Sequence, residues 1–313
     1  MNAGIFVLPG ARAASVGDYF ALLKPRVMSL VIFTAFAGML VAPGHIDPLS
    51  AFTALLCIAV GAGAAGALNM AYDSDIDAVM ARTATRPIPM GRIARSDALA
   101  FGWTLAIGSV ALMGLFVNPF AAALLVFSIG FYVFVYTLWL KRRTTQNIVI
   151  GGLAGSLPPA IGWASVTGGL GLVPLLLVLI IFLWTPPHFW ALALYRSDDY
   201  ARAGVPMLPV VRGKRATRWQ IFAYVLALVP LGLVPALIGL GGPLYAAVAL
   251  GFGGWFATDA WAVLRERDEI REPAARRLFG VSIMYLFVLF AALVIEHLMR
   301  LPPLTALSFG GWA

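Results

Sequence analysis

Long stretches without a charged residue alternate with short charged segments along this chain. Crossing the hydrocarbon core of a bilayer takes about 20 helical residues, and each uncharged stretch is long enough for one or two such helices. Breaks containing proline and glycine divide the longest stretches, because proline lacks a backbone donor and glycine tolerates turn conformations. The pattern therefore predicts nine membrane-spanning helices, within the segments 27–44, 49–72, 98–140 (two helices), 144–195 (two), 219–258 (two) and 278–295.

The composition of the chain agrees with this pattern. Of its 313 residues, 61% are hydrophobic and only 12% are charged, whereas soluble domains carry roughly 25% charged residues. We therefore predict an all-α integral membrane protein. Cys57 is the only cysteine and lies inside a predicted span, so we expect neither a disulfide nor a thiolate metal site.

The basic residues orient the predicted bundle. With nine spans, the N-terminus and the segments after spans 2, 4, 6 and 8 share one side of the membrane and carry 21 of the 22 Lys and Arg residues. The positive-inside rule assigns this side to the cytoplasm, which explains the net charge of +8 without a nucleic-acid partner. We predict a cytoplasmic N-terminal segment (1–26), a nine-helix transmembrane domain (27–298) and a short non-cytoplasmic tail (299–313). The first residues lack the order of a signal peptide, so we predict a bacterial inner-membrane location, with a trimmed organellar protein as the alternative.

A cluster of acidic residues follows the second span, in the sequence "NMAYDSDID". Asn69, Asp73 and Asp77 are four residues apart, and each such step on an α-helix rises about 6 Å and turns only about 40° beyond a full circle. The three side chains therefore share one face, while Asp75 points to the opposite side. Oxygen ligands at this spacing suit a hard divalent cation such as Mg²⁺, which commonly takes one or two carboxylates and substrate phosphates.

A second acidic cluster, "YRSDDYARAGVPMLP", follows the sixth span. Asp198 and Asp199 are adjacent, so one is expected to face a metal while the other caps a helix or pairs with arginine, and we favour Asp199 for the metal. The two long loops, residues 73–97 and 196–218, emerge on the same side of the membrane. We expect them to face one another over a central cavity of the bundle, open to the cytoplasmic side.

Basic residues accompany both acidic clusters: Lys24, Arg26, Arg82, Arg86, Lys141 and Arg142. Carboxylates together with cations indicate a phosphate that Mg²⁺ bridges to the protein and that Arg and Lys clamp. Because this site lies at the mouth of an apolar bundle, the rest of the ligand is expected to be a hydrocarbon. A polyprenyl diphosphate fits that description.

The sequence resembles a known family at these positions. Asn69, Asp73 and Asp77 followed by "RTATRPIPMG" resemble the UbiA-type intramembrane prenyltransferases. Four further stretches are similar to the branch of this family that farnesylates protohaem IX: "LLKPRV" (22–27), "YTLWLKRRTTQNIVIGG" (136–152), "WTPPHFWALA" (184–193) and "DDYARAGVPMLPVV" (198–211). The resemblance extends from Leu22 to the ninth span.

The resemblance implies roles for individual residues. Two aspartate motifs would hold Mg²⁺: Asn69, Asp73 and Asp77, with Asp199 and Asp198. A cationic clamp would hold the diphosphate: Lys24, Arg82, Arg86, Lys141 and Arg142. The residues implied at the reacting end are Asp73, Asp77, Asp199, Lys141 and Tyr136. His188, in "PPHFW", would contact haem, either as an iron ligand or as a partner for a propionate. Asp259 lies inside the eighth span and has two open interpretations, a functional acid or a hydrogen bond to a neighbouring helix.

The implied activity is transfer of a farnesyl group from farnesyl diphosphate to a vinyl group of haem B with addition of water, giving haem O for haem-copper oxidase biogenesis. The resemblance also points to haem A synthase or oxidase assembly factors as protein partners. Two alternatives stay open: a prenyltransferase acting on an aromatic quinone precursor, and a secondary transporter. A transporter would place its charges near the bilayer midplane, whereas the charges here gather at one boundary.

Overall fold

The computed structural model of the protein describes residues 14–304, so the outer parts of the predicted N-terminal segment and C-terminal tail lie outside the described residues. The described chain is helical, with no strand. Its α-helices are α1 (Val16–Leu22), α2 (Pro25–Leu40), α3 (Pro48–Tyr72), α4 (Ser74–Val79), α5 (Arg95–Phe116), α6 (Pro119–Gly130), α7 (Asn147–Ser156), α8 (Pro158–Thr167), α9 (Leu172–Tyr195), α10 (Ser197–Arg202), α11 (Leu208–Val211), α12 (Gly213–Leu237), α13 (Pro243–Leu264) and α14 (Pro273–Leu298). A π-helical segment (Phe131–Trp139) and a 3₁₀ turn (Leu140–Arg142) continue α6.

The membrane-spanning helices follow the predicted segments. Within the described residues, eight helical stretches are long and apolar enough to cross a membrane. A ninth span is obtained when α1 and α2, which meet at an angle of 53°, are taken as one broken helix. Proline begins several of the spans, at Pro48, Pro119, Pro243 and Pro273, where its missing donor leaves no hydrogen bond unmade. The all-α membrane architecture predicted from the sequence is confirmed.

Helix α3 packs closely against its neighbours. Its sequence "GAGAAGA" places small side chains where neighbouring helices approach, and Ala64, Ala67 and Leu68 have no exposed surface. A Cβ atom added at Gly102 of α5 would lie 2.7 Å from Leu68. Small residues allow such close packing without a large apolar driving force. The acidic cluster at the end of α3 is therefore carried by a closely packed helix.

Helices α2 and α8 touch through their backbones. A Cβ atom at Gly38 would lie 2.1 Å from the carbonyl oxygen of Pro159, and one at Gly162 would lie 2.0 Å from the carbonyl oxygen of Ala35. Neither oxygen belongs to a flexible side chain, so any added carbon requires the helices to separate. This contact fixes the distance between the two helices.

Asp259 joins two helices. Its Oδ1 atom lies 2.7 Å from a guanidinium nitrogen of Arg277, so α13 and α14 are linked by an ion pair next to the charged segment that connects them. Of the two interpretations left open by the sequence, the contacts of Asp259 are those of a structural link to the neighbouring helix.

Candidate active site

The first acidic cluster is buried at the end of α3. Asn69, Asp73 and Asp77 are exposed by only 5%, 1% and 2%. Lys24 donates from Nζ to Asn69 Oδ1 (2.8 Å), and Asn69 Nδ2 donates to Asp73 Oδ2 (2.7 Å). Lys141 also donates to Asp73 Oδ2, at 2.5 Å. Residues from three parts of the chain therefore converge on one amide and one carboxylate.

The backbone at this point differs from the uninterrupted helix that the spacing predicts. Helix α3 ends at Tyr72, Asp73 adopts φ −94° and ψ 11°, and α4 begins at Ser74. Active-site residues are often found in this sparsely allowed region. The helical hydrogen bonds from Asp73 N to Asn69 O (2.9 Å) and from Asp77 N to Asp73 O (2.8 Å) are kept. The three side chains therefore stay on one buried face in spite of the break.

One carboxylate oxygen of Asp73 is left for another ligand. This Oδ1 atom is buried and has no hydrogen-bond partner within residues 14–304, and a guanidinium nitrogen of Arg142 lies 3.7 Å from this carboxylate oxygen. A buried carboxylate oxygen without a donor is costly to desolvate unless something else binds it. Carboxylate and amide oxygens are the ligands that Mg²⁺ prefers, so this donor set fits a divalent cation.

The loop after α4 places the side chain of Arg86 beside the acidic cluster. Arg86 lies 2.6 Å from Asp77 Oδ2, and the hydroxyl of Thr83 donates to the carbonyl oxygen of Asp77 (3.0 Å). Arg82, in the same loop, is exposed. The loop thus folds back over the acidic cluster with Arg86 as its contact.

Arg142 is held at the entrance by Asp75. Its two terminal nitrogens donate to the two oxygens of Asp75 at 2.8 and 2.7 Å. The hydrogen bonds from Arg142 lower the pKa of Asp75 to about 2. Asp75, which the spacing places opposite the metal face, is exposed. It orients a cation that lies at the edge of the cluster.

The second acidic cluster lies on α10. Asp199 is buried, and Arg196 and Arg202 flank it, one three residues before it and one three residues after it. Asp198 is exposed. Tyr200 is buried as well, and burial raises its pKa. Sequence reasoning did not single out the two arginines, although their spacing from Asp199 on a helix was a usable signal.

The two acidic loops meet across a cavity of about 400 Å³. Asp75, Ile76 and Val79 line one side, and Arg202, Ala203 and Gly204 line the other, with Arg142 between them. The prediction that the loops face one another agrees with this arrangement.

A π-helical segment brings Tyr136 and its neighbours to the first cluster. The ring of Tyr136 packs against Gly151, where a Cβ atom would lie 2.2 Å from the ring, and it lies 5.3 Å from the ring of Tyr132. Thr137, which sequence reasoning missed, accepts a hydrogen bond from Asn69 Nδ2 (3.1 Å) and donates to the carbonyl oxygen of Tyr132 (2.8 Å). π-helical turns are frequent at functional sites.

Thr137→Val is expected to weaken the site without unfolding the protein. The valine keeps the shape but removes the acceptor for Asn69, and one lost neutral hydrogen bond corresponds to about 1 kcal/mol, or roughly a fivefold rise in KM for the prenyl diphosphate. Steady-state kinetics measures the change, with Thr104→Val, at an exposed position of α5, as the matched control. Unchanged kinetics in Thr137→Val would contradict a role for this contact.

His188 lies on α9, apart from the acidic clusters, and its side chain contacts α14. Its ring stacks on Trp184 and Phe279, with centroid distances of 4.4 and 4.5 Å, and Nδ1 is 2.7 Å from the hydroxyl oxygen of Ser282. That hydroxyl donates its single hydrogen to the carbonyl oxygen of Phe279 (2.7 Å). Nδ1 must therefore carry the proton and donate to Ser282, which leaves the lone pair on Nε2. A histidine held in this way presents a nitrogen suited to a metal.

The acids and cations of the site neutralise one another in this structure. Among residues 14–304, no three carboxylate, His or Cys side chains lie together as a ready metal site, because Lys141, Arg86 and Arg202 each engage one aspartate. A metal–diphosphate ligand carries both charges, so it can replace these pairs without leaving a buried charge alone. The arrangement can therefore bind a metal ion through its acids and phosphate oxygens through its bases.

Comparisons with known proteins identify the family. The model of the UbiA prenyltransferase family matches residues 31–283. The protoheme IX farnesyltransferase of Parvibaculum lavamentivorans is 60% identical over 94% of this chain and 92% of its own length. The protoheme IX farnesyltransferase of Acidiphilium cryptum is 59% identical over 91% of this chain and 92% of its own length.

Solved structures share the fold. The chain resembles a structure of digeranylgeranylglyceryl phosphate synthase with a TM-score of 0.74 and 18% identity, over 91% of this chain and 99% of that one. It resembles a UbiA homolog from Archaeoglobus fulgidus, solved bound to DMAPP and Mg²⁺, with a TM-score of 0.68 and 15% identity, over 89% and 99% of the two chains. From the family match and the identity to its curated relatives, the chain belongs to the UbiA prenyltransferase family, in the branch of the protoheme IX farnesyltransferases.

Proposed function

We propose that this chain transfers the farnesyl group of farnesyl diphosphate to a vinyl group of protohaem IX, with addition of water, to give haem O. The observation that carries the proposal is the buried cluster of Asn69, Asp73 and Asp77, interleaved with Lys24, Lys141 and Arg86 at the mouth of an apolar bundle. The relatives that share about 60% of the sequence are named for this acceptor and this prenyl group. The same site in a transporter would lie near the membrane midplane.

The proposed metal is Mg²⁺. Asn69, Asp73 and Asp77 would hold it on one side of the diphosphate, and Asp199 would do so on the other, with the exposed Asp198 in a peripheral position. When bound, Mg²⁺ supplies Lewis-acid neutralisation of the leaving diphosphate. The Asp73 Oδ1 atom, which is buried and has no hydrogen-bond partner among the described residues, would be available to the metal.

The cations of the chain stabilise the leaving group. Lys141 and Arg86 exchange their carboxylate partners for diphosphate oxygens, and Lys24 exchanges the amide oxygen of Asn69. Arg82 and Arg142 approach from the loops. Charge that develops on the diphosphate is then met by preorganised donors in a site shielded from water, where electrostatic stabilisation is strongest.

The bond changes balance without a covalent intermediate on the protein. The C1–O bond of farnesyl diphosphate breaks, with its electron pair leaving on the diphosphate, and the vinyl π electrons of haem form the new C–C bond. Water adds to the resulting cation beside the porphyrin and loses a proton. Tyr132 and Tyr136, whose rings lie 5.3 Å apart on the segment that carries Thr137, would offer π faces to the allylic cation.

The cellular setting is part of the proposal. We infer a bacterial inner membrane with the N-terminus and both acidic loops in the cytoplasm, because 21 of 22 basic residues fall on that side and such bias sets orientation. Contacts with haem A synthase or oxidase assembly factors stay a prediction. The substrates themselves, farnesyl diphosphate and haem B, require no protein partner.

The decisive experiment is a product assay. Purified chain is incubated with haem B, farnesyl diphosphate and Mg²⁺, and the extracted haem is analysed by mass spectrometry, with ¹⁸O-labelled water in a parallel reaction. The expected product carries one farnesyl group and one oxygen from water. Prenylation of a quinone precursor instead of haem, or no turnover of either acceptor, would contradict the proposal.

A further inference from the structure

Two arginines converge on one tyrosine at the cytoplasmic end of α9. The guanidinium carbons of Arg196 and Arg276 lie 6.0 and 4.5 Å from the centroid of the Tyr195 ring. Arg196 follows the last residue of α9, and Arg276 belongs to the first turn of α14. Two like charges are thus held near each other at the edge of the bundle.

Neither arginine has a close carboxylate partner to account for this position. The Nε atom of Arg196 is buried and makes no hydrogen bond to any described residue. A terminal nitrogen of Arg196 lies 3.7 Å from Asp199 Oδ2, its carboxylate partner. Arg276 donates from Nε to the carbonyl oxygen of Arg271 (2.8 Å), and no carboxylate within the described part of the chain forms an ion pair with it. Guanidinium groups match carboxylates in charge and in planar geometry, so the pair has unused capacity for an acidic ligand.

A row of aromatic side chains in contact leads from the two arginines into the bundle. Tyr195 is 6.3 Å from Phe279, Phe279 is 4.5 Å from His188, and His188 is 4.4 Å from Trp184, centroid to centroid. His188 precedes Tyr195 by seven residues, which on a helix is about 10 Å deeper in the bundle. Cations at the boundary and a histidine at this depth fit a flat, largely apolar molecule with acidic groups at one edge and a metal at its centre.

We propose that Arg196 and Arg276 bind the propionate carboxylates of the haem acceptor and act as positioning residues for the reaction. This inference rests on the proposed function. With the propionates held at the cytoplasmic boundary, the vinyl-bearing part of the porphyrin points into the bundle. Arg196 also lies beside Asp199, so the site for the acceptor adjoins the second acidic cluster.

The test compares haem B with its dimethyl ester, in which both carboxylates are blocked. Each is titrated by its Soret absorbance into the purified full-length chain, for the wild type, Arg276→Gln, Arg276→Lys and the exposed control Arg215→Gln. Losing a charge-assisted contact is expected to weaken haem B binding by roughly tenfold or more in Arg276→Gln, with KM for haem raised and kcat little changed. Arg276→Lys should recover part of the loss, and Arg215→Gln should match the wild type.

The ester separates a carboxylate contact from damage to the fold. Wild-type chain should bind the ester at least as weakly as Arg276→Gln binds haem B, because the ester loses both carboxylate contacts and the variant loses one. Arg276→Gln should bind the ester no worse than the wild type does. Equal haem B binding by the wild type and Arg276→Gln would overturn the inference, as would an equal loss for haem B and the ester. If the wild type binds farnesyl diphosphate but neither haem B nor its ester, the proposed acceptor is wrong and this site is wrong with it. That result differs from the two outcomes above, in which the wild type binds haem B.

Discussion

Asp73→Asn is expected to lower kcat/KM for haem farnesylation by about a thousandfold, or roughly 4 kcal/mol of transition-state stabilisation. The amide keeps the size of the carboxylate but removes the charge that faces Lys141 at 2.5 Å and replaces one of its oxygens with a donor. The variant is then expected to lose metal binding through Oδ1 of residue 73. It also lacks the negative charge that pairs with Lys141 before the diphosphate binds. The measurement is steady-state formation of haem O at saturating Mg²⁺.

Asp97→Asn is the matched control for this substitution. Asp97 is an exposed aspartate in the first turn of α5, near the same boundary, and its neutralisation should change the rate by less than about twofold, because exposed charges away from a site have small effects. Thermal unfolding of both variants in detergent checks that each is folded. Near-full activity of a folded Asp73→Asn chain would remove this residue from the proposed metal site.

Gly162→Ala is expected to destabilise the protein by about 3 kcal/mol or more. The added methyl group would lie 2.0 Å from the carbonyl oxygen of Ala35, and a backbone atom cannot rotate away as a side chain can. Helices α2 and α8 must therefore move apart, and overpacking of a rigid contact costs typically 1–3 kcal/mol, occasionally more. Thermal or denaturant unfolding in detergent measures the loss.

Gly108→Ala makes the same chemical change as Gly162→Ala but is not expected to destabilise the protein. Gly108 lies within α5, and a Cβ atom there meets no atom within 4 Å. Alanine is favoured over glycine in a helix by about 1 kcal/mol, so this variant should be unchanged or slightly more stable than the wild type. If the two alanine variants unfold at the same temperature, the α2–α8 contact does not limit stability.

Much of the candidate site was accessible from sequence because it depends on local spacing. The four-residue steps from Asn69 to Asp77 place three polar side chains on one face of a helix, and the buried positions of all three agree with that expectation. The helix break at Asp73 was not predicted, and neither were the contacts of Lys141 with Asp73 and of Lys24 with Asn69, because those lysines are distant in sequence. Thr137 was missed for the same reason: it meets Asn69 across 68 positions of the chain.

The sequence by itself determined the membrane-spanning helices and the gathering of charge at one boundary. Both follow from the exclusion of charged residues from hydrocarbon, which acts on each segment separately. Only the tertiary structure decided which cation engages which aspartate, that Asp199 is buried while Asp198 is exposed, and that Arg276 approaches Tyr195 from another helix. Those pairings depend on how helices pack, through backbone contacts such as Gly162 against Ala35, and the spacing of residues along one helix carries no information about its neighbour.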